Sequence, residues 1–201
     1  MSTYREITGS VSARFESGTR GVKTVSTGKG DNGGVSYGAH QLASNNGSMS
    51  AFVASKFGAP YAAQFAGLKP GTSAFTSAYN KIAAEKPLEF ETNQFLYIAA
   101  THYDPQAAKL LANGIATRDR HVAVRECVFS VAVQYGARTS AIVNALGANF
   151  KGTDLDFIKK VQAYRRDTVK VHFKSSSKAV QDSIVQRSKD EEKILLELLK
   201  T

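Results

Sequence analysis

The 201-residue sequence contains no tryptophan, four prolines and a single cysteine, Cys127. One cysteine cannot form an intramolecular disulfide, so the fold does not require an oxidising compartment. No stretch approaches the roughly 18 consecutive apolar residues of a membrane-spanning helix. The N-terminus also lacks the continuous apolar run of a secretory signal. We therefore expect a protein made in the cytoplasm without a signal peptide, which reaches any external substrate by release or delivery.

Signatures of metal and nucleotide sites are missing as well. The four histidines show no metal-ligand spacing, and one cysteine cannot build a zinc site. The segment 28–30 lacks the Ser or Thr of a P-loop. The segment 34–38 matches G-x-S-x-G, but no apolar strand precedes it as a nucleophile elbow requires. The sequence thus predicts no metal and no cofactor.

The charge balance is strongly basic, with 26 Lys or Arg against 17 Asp or Glu and a formal net charge of +9. Such a chain is attracted to nucleic acid, anionic membranes and the acidic cell wall. One basic cluster, Lys159, Lys160, Arg165 and Arg166, is either a solvated helix face or a patch that touches an anionic outer-membrane surface. No nucleic-acid-binding signature accompanies the charge, so we expect no nucleic-acid partner.

Hydrophobic spacing predicts an α+β fold that is mostly α, with a central buried helix over 118–135. The β-branched and glycine-rich segment 20–38 predicts a small hairpin or a glycine-rich loop. No linker or repeat is visible, so we expect one domain over 1–201, with the helix 178–200 as part of it or as an appendage. Further helices are predicted over 3–15, 48–57, 72–85, 91–101, 105–112, 138–146 and 154–170.

Glu16 follows Phe15 at the end of the first predicted helix. A carboxyl group at the edge of an apolar core is partly desolvated, which raises its pKa. A raised pKa suits a general acid that must hold its proton near neutral pH. The same position would also suit an ordinary surface glutamate. The glycine-rich segment that follows Glu16 is the feature that favours a catalytic role.

The segment after Glu16 combines glycines with polar side chains. Glycine allows tight turns and close approach of the backbone to a ligand, as a polysaccharide-binding floor requires. Asp31 is either a turn residue or a second carboxylate folded back toward Glu16. Tyr37 could stack on a sugar ring, Gln41 could bind an N-acetyl amide, and Ser36 adds a hydroxyl.

The runs Phe15-Glu16-Ser17-Gly18 and Gly34-Val35-Ser36-Tyr37-Gly38-Ala39-His40-Gln41-Leu42 resemble the lysozyme superfamily. The closer likeness is to phage endolysins and to the muramidase domains fused to type VI secretion spike proteins, over roughly residues 10 to 150. The resemblance implies a lysozyme-like fold with a glycine-rich β-hairpin beside a helical lobe. It also implies Glu16 as acid, Asp31 as second carboxylate, and Tyr37, Gln41 and Gln134 as substrate contacts. Ser36 is a further candidate contact because it lies beside the glycine-rich segment.

The resulting expectation is a monomeric muramidase that cleaves the β-1,4 bond between N-acetylmuramic acid and N-acetylglucosamine in peptidoglycan. Phage origin and lysis of the host cell are expected with it, and carriage by a virion or a secretion machine is left open as the other route. Two alternatives stay open. One is a lytic transglycosylase that leaves anhydro-muramic ends, and the other is a non-enzymatic basic virion protein that binds the wall or nucleic acid.

Overall fold

A computed structural model of the chain describes residues 7–16, 21–28 and 33–201. Its contacts divide the chain into two compact units. The hairpin unit comprises the described residues of 13–99, and the helical unit those of 1–12 and 100–201. Within the described residues, no helix combines the length and apolarity needed to cross a membrane.

The hairpin unit contains one small sheet among short helices. Strands β1 (Ser36–Tyr37) and β2 (Leu42–Ala43) are antiparallel, with Ser36 opposite Ala43 and Tyr37 opposite Leu42. Helix α1 (Ser10–Glu16) leads into this unit from residues of the helical unit. The remaining helices are α2 (Ser48–Ala54), α3 (Ala62–Phe65), α4 (Ser73–Glu85) and α5 (Pro87–Ile98), with 3-10 turns at Gly21–Lys23 and Ala59–Tyr61.

The hairpin lies later in the sequence than predicted. The β-branched stretch after Gly21 forms only a 3-10 turn and an isolated bridge from Val25 to Tyr37. The chain reverses instead between Gly38 and Gln41, both of which have positive φ angles of 76° and 51°. Because the left-handed region is open to glycine and rare for other residues, this pair locates the turn. The predicted hairpin over 20–38 is therefore corrected to 36–43.

Aromatic packing forms the core of the hairpin unit. The ring of Tyr79 lies between Tyr37 and Phe90, at centroid distances of 4.9 and 5.0 Å. Tyr61 and Phe90 meet edge-on at 4.6 Å. All four rings are buried. The hairpin therefore packs against an apolar core to which α4 and α5 contribute.

The helical unit is arranged around α7 (Val122–Tyr135), which is buried over most of its circumference. The prediction of a central buried helix is confirmed. The helix begins four residues after the predicted start because His121 caps it, its ring accepting a hydrogen bond from the Ala123 N–H at 3.2 Å. Around it lie α6 (Asp104–Ala112), α8 (Ala141–Leu146), α9 (Asp154–Asp167), α10 (Val169–His172) and α11 (Lys178–Leu198).

Candidate functional site

Glu16 is the last residue of α1, so the predicted place of this acid at a helix end is confirmed. The helix begins at Ser10, and the part of the predicted helix before residue 7 lies outside the described residues. Val11 is almost fully buried and ties the helix to the core. The side chain of Glu16 is likewise outside what the structure describes, so its role as acid stays a prediction.

Asp31 lies outside the described residues, and its role as second carboxylate also stays a prediction. The backbone segments that precede and follow this part of the chain lie close together. A Cβ atom added to Gly28 would lie 2.7 Å from the backbone nitrogen of Val35 and 2.8 Å from the carbonyl carbon of Gly34. Glycine is therefore required at position 28, because any side chain would push these two backbone segments apart.

A cavity of about 300 Å³ opens beside this glycine-rich backbone within the hairpin unit. Polar groups from three parts of the unit line it, including the hydroxyl of Ser44 and the side chains of Asn45 and Lys69. The remaining lining residues are Thr27, Gly28, Gly34, Val35, Pro70, Gly71 and Thr72. Exposed backbone next to amide, hydroxyl and ammonium groups is suited to sugar hydroxyls and acetamido groups.

Tyr37 does not present its ring to a ligand. Its side chain has no exposed surface, and the ring packs edge-on against Phe75 at a centroid distance of 5.3 Å. Its hydroxyl accepts a hydrogen bond from the Gly71 N–H at 3.0 Å and lies 2.9 Å from the Thr76 hydroxyl. The predicted stacking of Tyr37 on a sugar is therefore wrong. The ring supports the core instead, because burying its apolar surface is more favourable than leaving that surface exposed to water.

Ser36 and Gln41 lie at the two ends of the reversal. Ser36 is buried, and its backbone N–H donates to the Ser26 hydroxyl at 2.8 Å. Gln41 is half-buried, and its side-chain nitrogen donates to the Gly38 carbonyl at 2.9 Å. That bond uses one amide hydrogen of Gln41 and leaves a second N–H and the amide oxygen for a ligand. The role of Gln41 as a substrate contact stays a prediction, whereas the N–H of Ser36 is used to hold the strand.

A buried series of hydrogen-bonded polar groups lies next to the turn, and it was not predicted from the sequence. Gln94 is 1% exposed, and its side-chain nitrogen donates to the Tyr79 hydroxyl at 3.0 Å. That hydroxyl donates in turn to the Val22 carbonyl at 2.6 Å, and burial raises the pKa of Tyr79. A Cβ atom on Gly38 would lie 1.9 Å from the amide oxygen of Gln94. The signal for this contact was a glutamine on the otherwise apolar face of α5.

Gln134 belongs to the helical unit, near the end of α7, and is half-buried. Its side-chain oxygen accepts a hydrogen bond from the guanidinium of Arg165. Because a guanidinium can only donate, this contact fixes the orientation of the amide, with the oxygen on Arg165 and the nitrogen directed away. The structure therefore brings Ser36, Tyr37 and Gln41 together in one unit and gives Gln134 a fixed orientation in the other.

The predicted basic patch is corrected in part. Arg165 is fully buried and forms an ion pair with Glu191, so its charge is neutralised inside the helical unit. Arg166 is paired with Glu192 at 2.6 Å. Lys159 and Lys160 are exposed. The expected patch of four free cations is therefore reduced to these two lysines.

Candidate metal ligands do not converge in the described part of the chain. There, no group of three or more His, Cys, Asp or Glu side chains is arranged to hold a metal ion. The chemistry open to the described residues is therefore that of hydrogen-bonding amides and hydroxyls beside a glycine-built turn, together with Glu16 at the end of its helix.

Comparison with known proteins gives a family. Residues 8–193 match the family described as type VI secretion system spike protein VgrG3-like, C-terminal. The chain is also similar to the type VI secretion system spike protein VgrG3 of Vibrio cholerae serotype O1, with 38% identity over 192 residues. This alignment covers 94% of the chain and 18% of the length of that relative. The chain belongs to the VgrG3-like C-terminal family of type VI secretion spike proteins.

This membership corrects the expected family. Neither matched description names a lysozyme-superfamily enzyme or a phage endolysin. The expectations of phage origin and of a bacteriolytic enzyme that lyses its host are therefore wrong. The motifs around Glu16 and Gln41 could not identify the family, because a glutamate at a helix end followed by a glycine-rich reversal is a local arrangement, and local arrangements do not define the larger protein that carries them.

Proposed function

We propose that this spike C-terminal domain cleaves the glycan strands of peptidoglycan, with Glu16 as the general acid. The observation that carries the proposal is the position of Glu16 at the end of α1, after which the same compact unit forms the reversal at Gly38–Gln41. A lysozyme-like arrangement has these parts in this order. Glu16 would protonate the bridging oxygen of the β-1,4 bond between N-acetylmuramic acid and N-acetylglucosamine as that bond breaks.

The second carboxylate in the proposal is Asp31. Glycoside hydrolysis commonly pairs an acid with a carboxylate that activates water or stabilises the positive charge developing on the sugar. Asp31 follows Glu16 by 15 positions, and in the sequence it stands between Gly28 and Gly34, two described residues that line the cavity of the hairpin unit. Within the hairpin unit, Gln41 would hold an acetamido group through its remaining amide hydrogen. For Gln134 of the helical unit, the predicted substrate contact stays part of the proposal.

The family supports a route by which such an activity reaches its substrate. The relative from Vibrio cholerae is a type VI secretion spike protein, and this chain corresponds to 18% of its length. We propose that the domain is carried by a spike to the peptidoglycan of a target cell and acts there as a monomeric domain. A net charge of +9 favours binding to the anionic wall.

The direct test is digestion of purified peptidoglycan followed by mass spectrometry of the soluble fragments. Wild type should release fragments with reducing N-acetylmuramic ends. Glu16→Gln should lower the rate by about 10²–10⁴-fold, the usual contribution of a general acid. Glu85→Gln is the matched control, because Glu85 is an exposed glutamate of the same unit, and it should keep the wild-type rate. A Glu16→Gln variant with wild-type activity contradicts the assignment.

The same spectra separate hydrolysis from transglycosylation. Transfer to the internal hydroxyl of muramic acid gives an anhydro end, which is lighter by one water than the hydrolysis product. Asp31→Asn should lose most activity if Asp31 activates water, whereas anhydro products with a normal Asp31→Asn rate would indicate a transglycosylase.

A further inference from the structure

A buried glutamate on the central helix holds the start of α1. Glu126 lies on α7 and is 1% exposed. One of its carboxyl oxygens accepts hydrogen bonds from the backbone N–H of Thr8 at 2.6 Å, the N–H of Gly9 at 3.0 Å and the Thr8 hydroxyl at 3.1 Å. These two residues directly precede α1, so one side chain from 117 positions away fixes the point at which the helix begins.

The helix needs such an anchor because it is short. It has seven residues, and helices of fewer than about 12 residues are not stable in isolation. The Glu126 oxygen also satisfies N–H groups at the start of the helix, which have no partner within the helix itself. Gly9 has a φ of 66°, which lets the backbone bring both N–H groups to the same oxygen.

Glu16 is the opposite end of this helix, about 9 Å from its first residue at about 1.5 Å per residue. A short helix fixed at its start transmits any change of direction to its last residue. A general acid must lie within hydrogen-bond reach of the leaving oxygen, and a misplacement of about 1 Å can lower the rate about a hundredfold. The anchor at Glu126 therefore bears on proton transfer, and its three hydrogen bonds involve none of the groups proposed to bind sugar.

We propose that Glu126 is a positioning residue for the general acid Glu16, acting through Thr8, Gly9 and α1. This inference rests on the proposed function. It predicts a specific defect in Glu126 variants, namely slower protonation of the leaving group with unchanged binding of the glycan.

The test uses two substrates of the same sugar sequence. The first is a soluble peptidoglycan oligomer, whose sugar leaving group must be protonated. The second is an aryl glycoside whose dinitrophenolate leaves without protonation. Glu126→Leu removes all three hydrogen bonds, and Glu126→Gln keeps an acceptor oxygen. Thr8→Val removes an exposed residue's hydroxyl, which donates to Glu126 and accepts from the Ser10 N–H. Ser130→Ala is the matched control, because it removes one buried hydrogen bond from the same helix at 2.9 Å.

On the oligomer, Glu126→Leu should lower kcat by about 10–100-fold with KM within about twofold of wild type. Glu126→Gln should recover much of that loss, and Thr8→Val should show a smaller loss of the same kind. On the aryl glycoside all three should keep wild-type kcat/KM, as Glu16→Gln should, because this constant reports only the cleavage of a bond whose leaving group needs no proton. Ser130→Ala should leave both substrates unaffected. If Glu126→Leu does not fold, the comparison rests on Glu126→Gln and Thr8→Val.

The outcomes separate the two proposals. Wild type that cleaves neither substrate, or Glu16→Gln that is normal on the oligomer, overturns the proposed function. Glu16→Gln that loses only the oligomer activity, beside Glu126 variants that are normal on both substrates or equally slow on both, overturns the positioning role alone.

Discussion

The ion pair between Arg165 and Glu191 offers the sharpest test of the helical unit. Both side chains are fully buried, and Glu191 also accepts from Arg187 at 2.7 Å and from the Ser130 hydroxyl at 2.9 Å. Glu191→Gln keeps the size and the acceptor oxygen but leaves Arg165 as a buried charge without a counter-charge. Removing one partner of a buried pair costs about 3–5 kcal/mol. We therefore expect the free energy of unfolding to fall by that amount.

The assay is equilibrium unfolding in urea at pH 7, followed by circular dichroism. Glu192→Gln is the matched control, because the neighbouring pair with Arg166 is partly exposed, at 24% and 21% of the two side chains. Its expected cost is at most about 1 kcal/mol. The double variant Arg165→Met with Glu191→Leu should be more stable than either single change, since it removes both fully buried charges of the pair together. A loss below about 1 kcal/mol for Glu191→Gln would refute the reasoning.

Acid unfolding gives the pair a second signature. Burial alone would raise the pKa of Glu191, but Arg165 and Arg187 outweigh it and hold the pKa below its ordinary value. The stabilisation is therefore complete above the unfolded pKa of about 4.3 and is lost as the pH falls through the lower folded pKa. Wild type should lose stability over that acidic range, whereas Glu191→Gln should lack this contribution to the slope.

Three further predictions concern the hairpin unit and the thiol. Gly38→Ala should lower the free energy of unfolding by about 1–3 kcal/mol, because the φ of Gly38 is 76° and an added Cβ would meet Gln94. Gly47→Ala is the control and should cost less, because the space around Gly47 is open. Thermal unfolding compares the two variants. Tyr37→Phe removes a hydroxyl with two partners and should cost about 1 kcal/mol in the same assay. Burial raises the pKa of Cys127 to about 12, so iodoacetamide at pH 8 should modify it only in unfolded protein, and rapid labelling of the folded protein would contradict this burial.

The helices could be predicted because their apolar spacing reflects packing that is local to each segment. The 14 residues of α7 are apolar around most of their circumference, which only a central position accommodates. The hairpin could not be placed as well. Its reversal depends on the positive φ of Gln41, a residue that sequence rules do not favour in that region, and on the apolar support that makes the arrangement stable.

The site was harder to predict than the fold because aromatic residues have two uses. Tyr37 stands among glycines and polar residues, where a ring could equally face a sugar or the core. Its burial against Phe75 depends on α4, which begins 36 positions later. Whether the ring faces a sugar or the core is decided by tertiary packing, which the local sequence does not specify.

The charged residues of α9 and α11 did carry a signal that periodicity could have revealed. Arg165 lies at a spacing of four from Val161 and Val169, in the apolar stripe of its segment, whereas Arg166 lies just outside it. Glu191 occupies the same kind of position on α11, between Ser188 and Leu195. A charge in an apolar stripe is expensive to bury unless a partner of opposite sign is buried with it. Two such stripes with opposite charges therefore predict that the helices pack face to face, and the ion pair is where they do so.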